Sequence, residues 1–147
     1  MTEQTSVIES VEAIRAADPG NMLDRIKELP QQIRDAWKIA QAATLPPHFG
    51  DVRNITVLGM GGSAIGGEFA GALLLDELKV PLAVHRDYGL PAYVGRDSLV
   101  IASSFSGNTE ETLSGLEEAR KRGARIIGIT TGWRRPRISQ RYHMRSA

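Results

Sequence analysis

The chain has 147 residues, of which 41% are hydrophobic and 24% charged, proportions that suit one soluble globular domain and exclude disorder. It contains 0 cysteines, which excludes a disulfide framework, thiolate metal sites and cysteine nucleophiles, and no apolar run approaches the ~20 residues of a membrane span. The formal charge of +1 is unevenly spread: residues 1–131 set all 17 acids against 13 of the 18 bases, a balance of −4, and the last 16 residues carry only arginines. An acidic body argues against nucleic acid as a partner. The opening MTEQTSVIES lacks the basic and apolar regions of a secretory signal, so a cytoplasmic protein is expected.

In chain order, residues 1–47 read as a helical region. Val7, Val11 and Ile14 predict a helix over Ser6–Ala17, broken by Asp18-Pro19-Gly20-Asn21. A second helix is expected from an Asn21 cap, with Met22, Ile26 and Leu29 on one face. Pro30 should interrupt or restart it before Ile33, Trp37 and Ala40 continue the apolar face. Strands are expected at Ile55–Leu58, Pro81–Val84, Leu99–Ala102 and Ala124–Ile129. Helices should run from about Ser63 to Leu78 and from an Asn108/Glu111 capping box to Gly123, a natural residue just past a helix end. Alternation of this kind implies an α/β fold, a doubly wound parallel sheet of order 2-1-3-4.

Two strand-to-helix loops carry the candidate chemistry. In Gly59-Met60-Gly61-Gly62-Ser63, glycines let the backbone turn sharply and expose successive N–H groups beside a helix N-terminus, which favours an anion. Ser63 either caps that helix or gives its hydroxyl to the anion. In Ser103-Ser104-Phe105-Ser106-Gly107-Asn108-Thr109, hydroxyls and helix-end N–H groups suit phosphate oxygens without a Lys or Arg. The strands before these loops should be neighbours flanking the topological switch point, where ligands bind in such sheets. Each loop alone is equally well explained by helix capping; together they point to one crevice. A Walker A loop fails because Glu68 follows Gly67, whereas Gly59-x-Gly61-x-x-Ala64 with Asp87 fits a loose dinucleotide fingerprint and keeps a nucleotide-binding reading open.

The segments GMGGSAIGG, HRDYGLPAYV and SSFSGNTEETL, preceded by NMLDRIKELPQQIRDAW, resemble the sugar isomerase (SIS) domain. Within that family they look like the N-terminal half of the bifunctional phosphoglucose/phosphomannose isomerases, over about Asn21–Thr131. The resemblance implies that Gly61, Gly62 and Ser63 line a substrate crevice and that Ser104, Ser106 and Thr109 hold a sugar phosphate. It implies interconversion of glucose 6-phosphate or mannose 6-phosphate with fructose 6-phosphate through an enediol, with no cofactor or metal, in a full-length enzyme that is a homodimer. The family's base glutamate and ring-opening histidine come from beyond the resembling region, so this chain is expected to hold half a site and to be inactive alone. His48, His85 and His143 are poor substitutes, while Glu110 and Glu111 suit the dipole of their helix and Glu68 is a weaker candidate base. A stand-alone module that senses a phosphosugar is the alternative within the family.

The sequence divides into the helical region at 1–47, an incomplete SIS domain at 48–131 and a basic tail at 132–147. The tail has neither helical nor strand periodicity where a helix and a fifth strand are due, so the fifth strand is expected to be missing and the tail to be out of frame. A genuine basic arm is the other reading. Strand four would then be an unprotected edge inviting self-association.

Overall fold

A computed structural model of the chain describes residues 10–132 and, as backbone, residues 143–146. Contacts divide the chain into two units, Met1–Thr44 and Leu45–Ala147.

The first unit contains α1 (Val11–Ala17) and α2 (Met22–Gln41). Ser10 caps α1 by accepting the Ala13 N–H at 3.0 Å; the part of the expected helix before Ser10 lies outside the described residues. Asn21 holds the cap position of α2 in a left-handed conformation (φ 52°), but its side chain caps nothing. The Asp18 carboxylate does so instead, accepting the N–H groups of Met22 and Leu23 at 2.7 Å each. Contrary to expectation, α2 continues through Pro30. A proline removes one rung of the ladder, and the rungs on either side carry the helix across. Its apolar stripe of Met22, Ile26, Leu29, Ile33 and Trp37 is more than half exposed.

The second unit is a parallel sheet built from β1 (Asn54–Leu58), β2 (Leu82–His85), β3 (Ser98–Ser103), β4 (Arg125–Thr130) and β5 (His143–Ser146), in the order β2-β1-β3-β4-β5. The first four assignments follow from short apolar runs. The fifth strand, expected to be missing, pairs in parallel with β4 from Ile127↔His143 to Thr130↔Ser146. Strand pairing uses backbone groups, so a segment without strand periodicity can still complete a sheet edge. The expectation that β4 forms an unprotected edge is therefore corrected, and with it the basis for expecting self-association there. Residues 133–142 and 147 of the tail lie outside the described residues.

Helices α3 (Gly61–Leu73) and α4 (Glu110–Lys121) cover opposite faces. Side chains alternate along β1: a Cβ on Gly67 of α3 would lie 2.8 Å from Val57 Cγ1, and one on Gly115 of α4 would lie 2.8 Å from Leu58 Cδ1. Both helices approach the sheet more closely than any larger residue would permit. On the α4 face Leu58, Val100, Ala102 and Ile126 pack with Leu116, Ala119 and Val94 as the core. The end of α4 matches its sequence signal: Gly123 takes φ +72°, its N–H reaches Arg120 O, and the Ala124 N–H reaches Ala119 O. This is the Schellman pattern. The start does not: Thr109 is the cap, so Asn108 and Glu111 form no capping box.

The β2–β3 crossover, residues 86–97, contains no helix. Parallel crossovers usually use one to satisfy their own carbonyls. Here the half-buried Arg122 guanidinium performs that task. Its Nη1 donates to Pro91 O at 2.8 Å and Val94 O at 3.2 Å, and its Nη2 to Leu90 O at 3.3 Å and Glu118 Oε1 at 2.8 Å. A lysine ammonium has the charge without the planar fork. Arg122→Lys should therefore lower unfolding stability by about 1–3 kcal/mol, read from the urea midpoint.

Asp18 provides a second test. Hydrogen bonds from the Leu23 and then the Met22 N–H hold its carboxyl below the ordinary aspartate range. A depressed folded-state pKa contributes stability above the unfolded value that is lost as pH falls through the folded one. The Met22 and Leu23 amides should lose hydrogen-exchange protection on acidification below the ordinary aspartate range, and Asp18→Asn should abolish that dependence.

Candidate functional site

Strands β1 and β3 are neighbours in register from Asn54↔Ser98 to Leu58↔Ala102, and their following helices leave to opposite faces. Their C-terminal ends form the switch point of the sheet. A cleft of about 480 Å³ opens there, lined by Met60, Gly62, Ser63, Phe105, Ser106 and Thr109. A larger hollow of about 600 Å³ lies between α3 and β2, but Leu75, Leu78, Val80, Pro81 and Leu82 make much of its wall. Unlike that hollow, the switch-point cleft brings hydroxyls and two helix N-termini together.

The first wall is the first turn of α3. The helix begins at Gly61, two residues before the expected Ser63, and Met60 is its cap without a side-chain hydrogen bond. Ser63 therefore lies within the turn rather than capping it. Gly61 has φ +50°, a backbone conformation that glycine adopts without strain. That kink turns β1 into α3 and brings Gly62 and Ser63 to the cleft, while Gly61 itself does not line it.

The second wall is the loop from β3 into α4. Ser104 is 3% exposed and absent from the cleft lining. Its Oγ accepts the Gly107 N–H at 3.1 Å and shares a hydrogen bond with Thr109 Oγ1 at 2.9 Å. Gly107 closes the turn at φ +68°. When Ser104 donates in the shared bond, the Thr109 proton is free for a ligand in the cleft. Ser106 Oγ accepts only a local, exposed bond from the Asn108 N–H at 3.2 Å. The loop is moored to β4: the Ser104 N–H donates to Ile129 O at 3.0 Å and Thr131 Oγ1 to Phe105 O at 2.6 Å.

Of the six residues singled out, the fold thus brings Gly62, Ser63, Ser106 and Thr109 to one cleft and puts Gly61 and Ser104 behind it as shaping residues. Met60 and Phe105 were missed as its walls, and Thr131 as its mooring. Their positions beside the two turns are the only signal they offered. The cleft lining contains no Lys or Arg. The first turns of α3 and α4 reach it instead, and neither helix has a side-chain cap on its N–H groups.

Other titratable candidates are engaged elsewhere. Glu68 pairs with Arg86 at 2.6 Å, His85 Nε2 lies 3.4 Å from Tyr88 O, and His48 stacks edge-on with Phe49 at 5.1 Å. Asp87, the acid of the dinucleotide fingerprint, accepts the Tyr88 N–H at 2.7 Å. The side chain of His143 lies outside the described residues. Among the described residues no group of three or more His, Asp or Glu could hold a metal ion, and no helix is long and apolar enough to cross a membrane.

The SIS domain family model matches residues 48–145, from before β1 into β5. The chain belongs to the SIS domain family. A bifunctional phosphoglucose/phosphomannose isomerase of Caldicellulosiruptor bescii is 48% identical over 111 residues, which are 76% of this chain and 33% of that protein. A D-glucosamine-6-phosphate 4-epimerase of Sulfolobus acidocaldarius is 39% identical over 87 residues, covering 58% of this chain and 27% of its own. This SIS chain thus spans about a third or less of the length of these relatives. Among solved structures, a Bacillus subtilis protein described as a candidate phosphosugar isomerase superposes with TM-score 0.58 at 25% identity, over 65% of this chain and 30% of that one. The Vibrio vulnificus NanR protein, solved with ManNAc-6P, superposes with TM-score 0.56 at 24% identity, over 68% and 40%, and shares the fold.

The two serines of the second loop should separate on substitution. Ser104→Ala removes a buried acceptor and should destabilise the SIS unit by about 1–3 kcal/mol in thermal unfolding. Ser106→Ala, at an exposed hydroxyl, should leave the unfolding midpoint within about 0.5 kcal/mol of the parent.

Proposed function

We propose that this chain is the sugar-phosphate-binding part of a phosphoglucose/phosphomannose isomerase. The observation that carries this reading is the convergence of Gly62 and Ser63 with Ser106 and Thr109 on one cleft at the switch point. A phosphoryl group offers several acceptor oxygens, and the cleft offers hydroxyl donors and two helix N-termini. The reaction is aldose–ketose isomerisation of glucose 6-phosphate or mannose 6-phosphate to fructose 6-phosphate. A carboxylate takes the proton from C2 of the open-chain aldose as O1 gains one, giving the cis-enediol, and the proton returns at C1 as O2 loses its own. In this reading α3 and α4 anchor the phosphate, Gly61 and Ser104 shape the anchor, and the base and ring-opening histidine belong to the part of such an isomerase beyond the resembling region. By itself the chain binds phosphosugar and does not turn it over.

Titration of the 147-residue chain with fructose 6-phosphate, followed by amide NMR, tests this. Saturable shifts at Gly62, Ser63, Ser106 and Thr109 are expected, reversed by inorganic phosphate and lost in Ser106→Ala, with no glucose 6-phosphate formed in a coupled assay. Absence of binding, or binding indifferent to Ser106, would overturn the phosphate-anchor reading. Turnover would overturn the assignment of base and histidine to another region.

A further inference from the structure

The crossover segment after β2 is fixed more firmly than an exposed strand connection requires. The Asp87 carboxylate holds the Tyr88 N–H, the Gly89 N–H donates to Ser114 Oγ at 3.1 Å, and Arg122 binds the carbonyls of Leu90, Pro91 and Val94. From this base the side chain of Tyr88, itself more than half exposed, donates its phenol to Glu110 Oε2 at 3.1 Å. Glu110 is the first residue of α4 and follows Thr109 directly, yet it does not line the cleft as Thr109 does. The two residues lie 22 apart in sequence.

A carboxylate at this position suits the helix dipole, but it is also a rival. If free to rotate, it competes with a bound anion for the same first-turn N–H groups and repels it at short range. The hydrogen bond to Glu110, followed by that residue's charge, pushes the Tyr88 phenol above its ordinary pKa. A tyrosine phenol is protonated at neutral pH in any case, so Tyr88 is a donor there.

We propose that Tyr88 is a positioning residue for the anion cleft: its hydroxyl draws the Glu110 carboxylate aside, leaving Ser106, Thr109 and the α4 N-terminus to the phosphoryl group of a phosphosugar. This rests on the phosphosugar reading above. It gives the Tyr88-Gly89-Leu90-Pro91 segment, fastened to α4 by Arg122 and Ser114, a task in ligand binding rather than in folding alone.

A double-mutant cycle separates charge control from mere fastening. The full chain, Tyr88→Phe, Glu110→Gln and the double variant are each titrated with fructose 6-phosphate, and their thermal midpoints are recorded. Tyr88→Phe should weaken binding about three- to tenfold with little change in midpoint. Glu110→Gln should bind at least as well as the parent, and the double variant should match Glu110→Gln, because without the charge there is nothing to draw aside. Parent-like binding by Tyr88→Phe, weaker binding by Glu110→Gln, or a double variant as weak as Tyr88→Phe would each overturn the proposal while leaving the phosphosugar reading in place. A parent chain that binds no fructose 6-phosphate would remove both.

Discussion

Joining two parallel strands across a third without a helix leaves a long connection with its carbonyls unpaired, and the second unit depends on how that is resolved. One guanidinium holds three carbonyls of the β2–β3 connection and a carboxylate of its own helix. Val94 can then enter the core against Leu116 and Ala119, and α4 can approach so closely that a Cβ on Gly115 would lie 2.9 Å from Gly89 O. Arg122 is therefore an inward-facing part of the sheet's cover, although it caps the strongly basic end of α4. The same fastening determines where Tyr88 stands relative to α4, and so its hydrogen bond to Glu110.

Much of this fold was legible because its signals are local and unambiguous. Short apolar runs such as Ile55–Leu58 and Leu99–Ala102 mark strands buried on both faces, and β–α alternation yields the order 2-1-3-4. The glycine at the end of α4 announces a left-handed residue because other residues are strained there. The misreadings arose where a neighbour could do the same job. Asp18 reaches the N–H groups that Asn21 was expected to cap. Thr109 takes the cap position that Asn108 was expected to hold, and α3 begins on Gly61 because a glycine can make the kink inside the first turn. The fifth strand was invisible for a different reason: it is held by backbone pairing along β4, which leaves no periodic trace.

The candidate site was legible as two loops but not as a division of labour. Serine and threonine in a strand-to-helix turn serve equally as ligand donors or as internal scaffolding, and only burial distinguishes them. Ser104, buried and bonded to both Gly107 and Thr109, shapes the loop, while Ser106 and Thr109 face the cleft. Tyr88 and Glu110 could not be paired from sequence, because their encounter depends on the path of the crossover over α4.

A cleft walled by hydroxyls, backbone N–H groups, a methionine and a phenylalanine has no formal positive charge of its own. Such a receptor grips by counting acceptor atoms rather than by summing charge. On the phosphate-anchor reading it selects by shape and lone-pair geometry, favouring oxyanions over halides, which offer no directed acceptors.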